Sequence, residues 1–169
     1  MKRMLVVLFL LAMVVSLLAV TGCGGDETTF KTPEGDIEAT EDNGEFSIEG
    51  DEGSVTYEGS DKPPTEQQLG APVYPDADYV PGSGGTATAT GPEGEASTTT
   101  GEFRTTDSFD DVVSFYQDEL GRPLYIDTSM EEASWMADMG DGSLTAVNVT
   151  VDGNEVVIII VRTNIGEGM

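Results

Sequence analysis

The clearest pattern of apolar and polar positions lies in the second half of the chain. Apolar residues recur there at helical spacing, so that they fall on one face. Asp107 is a favourable N-cap before this pattern, and Gly121 is placed to end it. The pattern predicts one amphipathic helix between these two residues. The apolar face consists of Phe109, Val112, Val113, Tyr116 and Leu120.

Short apolar runs on both sides of this helix predict strands. Two threonine-rich strands precede the helix and meet across a turn at residues 91–94, and four more follow it. Asp152, Gly153 and Asn154 join the last two as a hairpin. Residues 156–161 are apolar on both faces, so they predict the central and most buried strand. The predicted strands are 86–90, 96–105, 124–128, 134–139, 144–151 and 155–163.

A nine-residue repeat occupies residues 35–60. Each of its three units begins with a glycine and then alternates apolar with polar residues. The apolar side chains would therefore share one face of a small three-stranded meander. Three short strands bury little, so we expect the meander to pack on the following domain or to be only partly ordered. The apolar positions are Ile37, Ala39, Phe46, Ile48, Val55 and Tyr57.

A proline pair divides the meander from the rest of the chain. Pro63 and Pro64 stop a strand and stiffen the backbone, so residues 61–68 are interpreted as a linker. Residues 69–169 are long enough for one modest core. The predicted fold class is α+β: an antiparallel sheet with one packed helix, preceded by the meander and by an N-terminal signal helix.

Residues 1–22 have the pattern of an export signal. Lys2 and Arg3 precede an apolar run over residues 4–20, and small residues then lead to Cys23, the sole cysteine. A transmembrane helix is one alternative, because about 20 apolar residues cross a bilayer. A plain cleaved signal is another. The run ends in residues 21–25, which contain no aromatic anchor or basic stop, and a plain signal gives no reason for a cysteine at the cut.

The order Val20-Thr21-Gly22-Cys23 resembles the lipobox of a bacterial lipoprotein signal. The resemblance implies that a diacylglycerol is attached to the sulfur of Cys23 and that residues 1–22 are removed. Residues 23–34 then form a lipidated tether, and the membrane is the partner through this lipid. Two acyl chains are enough for stable attachment, at roughly 0.8 kcal/mol per buried methylene. The implied location is the cell membrane or envelope, facing outside the cytoplasm.

Short motifs around the predicted helix carry a second resemblance. They are YPDA at 74–77, TTDS at 105–108, VVSFY at 112–116 and LG at 120–121. Through these motifs, residues 69–163 resemble an uncharacterised α+β domain found in bacterial lipoproteins and other exported proteins. These motifs are core and cap positions, so the resemblance implies the fold and the envelope location but brings no catalytic residue.

The charge and composition exclude several functions. The chain has 32 acidic and 7 basic residues, and loss of Lys2 and Arg3 with the signal takes its formal charge from −25 to −27. Such a surface repels nucleic acid, so a nucleic-acid partner is excluded. The absence of histidine excludes Ser-His-Asp and Cys-His catalysis and typical histidine zinc sites. A single cysteine leaves no disulfide.

Three groups of residues are candidate sites. Acidic turns at 42–44, 51–53 and 141–142 have oxygen ligands for calcium, but none matches an EF-hand loop, and we interpret them as solvated turns. Glu131 and Glu132 could form a glycosidase-like pair, without any supporting motif. Trp135, Met136 and Met139, and the pair Tyr74 and Tyr79, could line a ligand groove, but their spacing is more typical of a core.

The sequence therefore predicts a membrane-anchored envelope lipoprotein whose small domain binds an envelope protein or ligand, or has a structural role, without catalysis or a cofactor. Cys23 is its predicted lipidation site. The alternative is an envelope hydrolase that uses carboxylates, with or without calcium.

Overall fold

The computed structural model describes residues 28–32, 35–42, 45–50, 53–92 and 94–165. Within these ranges the chain forms eleven strands and two helices. The helices are α1 (Glu66–Leu69) and α2 (Phe109–Leu120). The strands are β1 (Thr28–Thr32), β2 (Gly35–Asp42), β3 (Glu45–Gly50), β4 (Gly53–Ser60), β5 (Asp78–Tyr79), β6 (Gly84–Gly91), β7 (Gly94–Thr105), β8 (Tyr125–Asp127), β9 (Glu132–Asp138), β10 (Ser143–Asp152) and β11 (Glu155–Ile165).

All of these strands belong to one antiparallel sheet. Its order is β1-β2-β3-β4-β6-β7-β11-β10-β9-β8, and β5 pairs with β7 outside this path. The β-rich α+β class that the sequence predicts is therefore the class of the structure. The strands before the proline linker join those after it by direct pairing of β4 with β6. Strands β2, β3 and β4 thus extend the sheet edge to edge rather than packing against its face.

Helix α2 begins one residue later than the sequence predicts. The N-cap is Ser108, whose Oγ accepts the backbone N–H of Asp111 at 3.2 Å. The carboxylate of Asp107, which the pattern indicated as the cap, instead accepts the hydroxyl of Tyr74 at 2.8 Å. The helix ends as predicted at Gly121, where φ is 81° and the N–H donates to the carbonyl of Gln117.

The core lies between α2 and the C-terminal half of the sheet. Tyr116 on α2 and Trp135 on β9 are both buried, and their ring centroids are 5.6 Å apart. The indole N–H of Trp135 donates to the carbonyl of Gly121 at 3.0 Å, which satisfies both a buried donor and the end of the helix. β11 lies between β7 and β10 in this core, as its apolar run predicts, and Val156, Val157, Ile158 and Ile160 are buried on it.

Helix α1 was not predicted from the sequence, because its one turn contains a single apolar residue, Leu69. A capping box between Thr65 and Gln68 satisfies its first N–H groups. Leu69 is fully buried, and its carbonyl accepts the hydroxyl of Thr145 from β10 at 3.1 Å. Both helices therefore lie on the same side of the sheet, which we call the near face. The opposite side is the far face.

The alternation of faces along β11 gives a direct test of where the core lies. Ile158 points to the near face and is fully buried, whereas its neighbour Ile159 points to the far face and is half-buried. We expect Ile158→Ala to lower the free energy of unfolding by about 2–5 kcal/mol because it leaves a cavity under α2. The matched control Ile159→Ala should lose about 1 kcal/mol. Urea denaturation monitored by Trp135 fluorescence measures both, and equal losses would contradict this assignment of the faces.

A polar near face and its groove

The near face changes from apolar to polar beyond the two helices. Strand register places rows of hydroxyl and carboxylate side chains across β3, β4, β6 and the first part of β7, while the apolar residues of these segments point to the far face. We call these rows the hydroxyl face. Its members are Glu45, Ser47, Glu49, Ser54, Thr56, Glu58, Thr86, Thr88, Thr90, Glu95, Ser97 and Thr99.

Hydroxyls on neighbouring strands of this face are hydrogen-bonded to one another. Ser54 and Thr90 are 2.7 Å apart and Thr86 and Thr99 are 3.2 Å apart, measured between their side-chain oxygens. A hydroxyl has one donor and two acceptor lone pairs, so each pair retains capacity for a further bond above the sheet. The face is thus a fixed array of hydrogen-bonding groups with the spacing of the strands.

A groove of about 520 Å³ runs between the proline linker and the edge of this face. Pro64 forms part of its wall and sits over Gly101, where an added Cβ would lie 3.0 Å from the proline Cγ. The lack of a side chain at Gly101 therefore lets the linker lie close to β7. Polar residues from the sheet and the linker line the groove: Glu45, Glu58, Lys62, Gln68, Thr86 and Thr99.

Two carboxylates, Glu45 and Glu58, and one ammonium group, Lys62, line the groove, so its formal charge is negative by one. Glu45 and Glu58 are directly opposite each other on β3 and β4. Like charges in this position repel across the strand pair. No ion pair within the described ranges involves either of them. The groove is therefore suited to positively charged groups and hydrogen-bond donors.

Arg162 stands where the apolar and polar parts of the near face meet. It lies opposite Thr99 in register and donates to the carbonyl of Gln67 at 2.7 Å and to the carboxylate of Asp141 at 2.8 Å. Asp141 also accepts the backbone N–H of Ser143 at 2.9 Å. Arg162 thereby joins α1 and the turn before β10 to the sheet beside the groove.

A second charged cluster lies on the far face, around Arg104. Its guanidinium contacts Glu102 at 2.9 Å, Glu155 at 3.3 Å and Asp152 at 3.4 Å. The hydrogen bonds to Glu102 and Glu155 raise the pKa of Arg104 above its ordinary value. A cavity of about 350 Å³ adjoins this cluster. Because the acidic groups bind an arginine of the same chain, the cluster acts as a clamp between β7 and the β10–β11 hairpin.

The aromatic and methionine residues considered as a ligand groove are not brought together. Trp135 is a core residue, whereas the adjacent Met136 points to the far face and is 60% exposed. The core interpretation is therefore right for Trp135 and wrong for Met136 and for Met139, which is 43% exposed. The hydroxyl of Tyr79 donates to the carbonyl of Ser60 at 2.6 Å. The hydroxyl of Tyr74 instead donates to Asp107, and its ring packs against Phe115 of α2.

The acidic candidates are also separate from one another. Glu131 and Glu132 are exposed at the start of β9. Asp141 is engaged by Ser143 and Arg162, and the turns at 42–44 and 51–53 are only partly described. Cys23 lies outside the described residues. The polar groove was not predicted from the sequence because its walls come from three separate segments. The alternation of threonine with alanine at 86–90 did indicate a strand with one polar and one apolar face.

The ionisation of Asp141 should make stability depend on pH. Hydrogen bonds from Ser143 and the charge of Arg162 lower the pKa of Asp141. A depressed folded-state pKa stabilises the fold above the unfolded-state pKa, near 4, and this contribution is lost as the pH falls through the folded-state value. We expect the stability difference between the wild type and Asp141→Asn to be constant from pH 5 to 8 and to shrink below pH 4. Thermal melts across this range measure it, and a difference unchanged at pH 2.5 would refute the assignment.

Repulsion between the two groove carboxylates should be measurable as well. We expect Glu58→Gln to raise the free energy of unfolding at 10 mM salt by about 0.2–0.5 kcal/mol, because a like-charge pair across two strands is removed. The gain should largely vanish in 1 M NaCl, where the screening length is about 3 Å. Glu95→Gln is the matched control, since the residue opposite Glu95 is the uncharged Thr90. Equal, salt-dependent gains in both variants would mean that overall charge rather than this pair is responsible.

A scan against protein-family models found no match, and searches of the curated proteins and of the solved structures found no significant similarity. Neither helix in the described part of the chain is long and apolar enough to cross a membrane. The function is therefore argued from the groove, the hydroxyl face and the N-terminal sequence.

Proposed function

We propose that this protein is a lipid-anchored envelope protein that binds a partner through the groove and the hydroxyl face, without catalysis. The observation that carries the binding role is the open polar half of the near face. This half lies next to the covered core and carries hydrogen-bonded hydroxyl pairs and carboxylates. It therefore presents many directed hydrogen-bonding groups to a ligand.

The chemistry of the groove favours a cationic, hydrogen-bonding ligand. Glu45 and Glu58 supply two adjacent negative charges, and Thr86 and Thr99 supply hydroxyls beside them. An amine or guanidinium group placed between the two carboxylates would relieve their repulsion and bind at the same time. Basic segments of other envelope proteins and polyamine-like molecules have this chemistry. Anionic ligands are disfavoured for the same reason.

The position of β1 fits a short anchor. Thr28, the first residue of β1, comes five positions after Cys23. Fully extended chain spans at most about 3.6 Å per residue, so this tether reaches about 18 Å. Lipid on Cys23 would therefore hold the N-terminal edge of the sheet close to the membrane surface, and the groove would face partners at that surface.

The hydrolase alternative has less support. A glycosidase-like mechanism needs one carboxylic acid that keeps its proton, which means a raised pKa. The carboxyl groups in the described ranges with a shifted pKa are Asp127 and Asp141, and hydrogen bonds from Ser129 and Ser143, respectively, lower both values. Both are therefore stabilised as carboxylates and hold turns together.

Lipid attachment is tested at Cys23. We expect Cys23→Ser to abolish incorporation of labelled fatty acid in cells and to release or mislocalise the protein, because the sulfur is the attachment atom. Ser16→Ala, which changes a polar residue within the apolar run, is the control and should keep the label. Continued labelling of the serine variant would refute lipidation at Cys23.

Binding at the groove is tested by photo-crosslinking in intact cells. A photoreactive residue at Thr86 should give a discrete adduct, whereas the same residue at Gln117, exposed on α2, should not. Glu45→Lys with Glu58→Lys should reduce the Thr86 adduct about tenfold or more, since each lost charge-assisted contact weakens binding by roughly 1.5–3 kcal/mol. Adducts that are identical at both positions, or insensitive to the charge reversals, would contradict a binding role for the groove.

A further inference from the structure

The far face of the sheet carries an uncharged patch where the near face is most polar. On β3, β4, β6, β7, β11 and β10, three successive rows of far-face residues contain no charged side chain. The first and the third of these rows contain small or apolar residues, apart from one threonine. We call these three rows the apolar patch. Its middle row is Phe46, Tyr57, Ala87, Thr98, Thr163 and Leu144.

Nothing in the described part of the chain covers this patch. Both helices contact the sheet from the near face, and Pro64 of the linker also packs there. At the margins of the patch Leu144 is 43% exposed and Ile165 is 56% exposed. The other apolar side chains of the patch are half-buried by their neighbours in the sheet, and a contiguous uncovered apolar surface of this kind marks an interaction site.

The patch is flat, which suits a broad partner. Tyr57 lies against Gly85, where an added Cβ would be 2.8 Å from the tyrosine Cζ. The missing side chain at Gly85 therefore lets the aromatic ring lie along the sheet instead of projecting from it. Small residues at Ala87 and Ala89 keep the centre of the patch low. The surface resembles the inner face of one sheet of a β-sandwich.

The size of the patch matches what a stable dimer needs. Six strands about 4.8 Å apart and three rows about 6.8 Å apart cover roughly 600 Å² of sheet plane. Side chains that project from this plane raise the accessible area further. A standard protein interface buries about 800 Å² on each partner. Face-to-face pairing of two copies would bury the same patch on both sides, as a two-fold axis demands, and the projecting side chains bring the buried area closer to this figure.

The charge distribution also permits self-association despite the formal charge of −25. On β3 and β4 the carboxylates Glu45, Glu49 and Glu58 lie on the hydroxyl face. Glu41 of β2 and Asp138 of β9 occupy far-face register positions at the two ends of the middle row, so they border the patch without entering it. In a face-to-face dimer with sheets about 10 Å apart, these two charged faces point outward and stand about 20 Å from each other. This distance is more than two screening lengths at physiological salt. A membrane surface offers no comparable match, because anionic headgroups repel the protein body.

We propose that the apolar patch is a homodimer interface in which two copies pack far face to far face as a β-sandwich. The dimer leaves both grooves open on the outer faces. This inference is independent of the lipid anchor and of the groove's ligand, since it uses neither Cys23 nor the hydroxyl face.

Cysteine crosslinking of the full chain tests the interface, both in cells and after purification. Ala87→Cys places a thiol at the centre of the patch, and Thr88→Cys places one on the next residue of the same strand but on the opposite face. A short bismaleimide should join two Ala87→Cys chains into a species of twice the chain mass, and should leave Thr88→Cys monomeric. Equal dimer yields for the two variants would indicate random collision and would overturn the proposal.

Added charge and salt give a second, independent readout. Ala89→Glu, introduced into the Ala87→Cys chain, should cut the crosslinked yield about tenfold or more, because it buries an unpaired charge. Thr88→Glu adds the same charge on the other face and should leave the yield within about twofold. Thermal melts of the three chains check that each one folds.

Raising NaCl from 0.05 to 0.5 M should increase the crosslinked yield, since salt screens the repulsion between two acidic chains. The proposal fails if Ala87→Cys stays monomeric at both salt concentrations, or if its adduct has a mass other than that of a dimer. It also fails if the thiol of Ala87→Cys is protected from a water-soluble maleimide only when membranes are present. That result would identify lipid as the occupant of the apolar patch.

Discussion

The packing of α2 across one half of the sheet is the interaction on which the rest of the structure depends. The buried apolar cluster of the described residues lies there, with Tyr116, Trp135 and Ile158 at its centre. A helix of 12 residues is about 18 Å long and covers about four strands at most. The strands on the β1 side of β7 therefore gain no cover from it. They are held through backbone pairing, which passes from β11 to β7 to β6 and then to β4.

This arrangement explains why the apolar side of the sheet changes from one end to the other. Along β7, Phe103 points to the near face and meets the helix-covered core, while Ala96 nearer the start of the strand points to the far face. The long strands β7 and β11 thus carry both patterns. Arg162 marks the boundary, because its guanidinium occupies the near face just where apolar residues end. One sheet therefore presents a core, a polar array and an uncharged patch.

Much of the C-terminal half could be predicted because its signals are local. The apolar face of α2 follows from helical spacing, and the β10–β11 hairpin follows from a turn in which Gly153 takes a φ of 67°. Helix α1 and strand β5 have too few residues to give a periodic signal. Trp135 and Met136 illustrate a different limit. Neighbours in a strand face opposite ways, but the sequence alone does not say which side the helix will cover.

The groove and the apolar patch could not be predicted, because both depend on which strands are neighbours. Alternation in β6 separates Thr88 from Ala87 and Ala89, yet it leaves open what stands beside them. The pairing of β4 with β6 decides this, since it aligns Tyr57 with Ala87 on one side and Thr56 with Thr88 on the other. The same pairing separates charged from apolar residues on β3 and β4. A strongly acidic chain can keep an uncharged surface available for a partner only if its carboxylates are directed elsewhere, and this register directs those of β3 and β4 to the groove side.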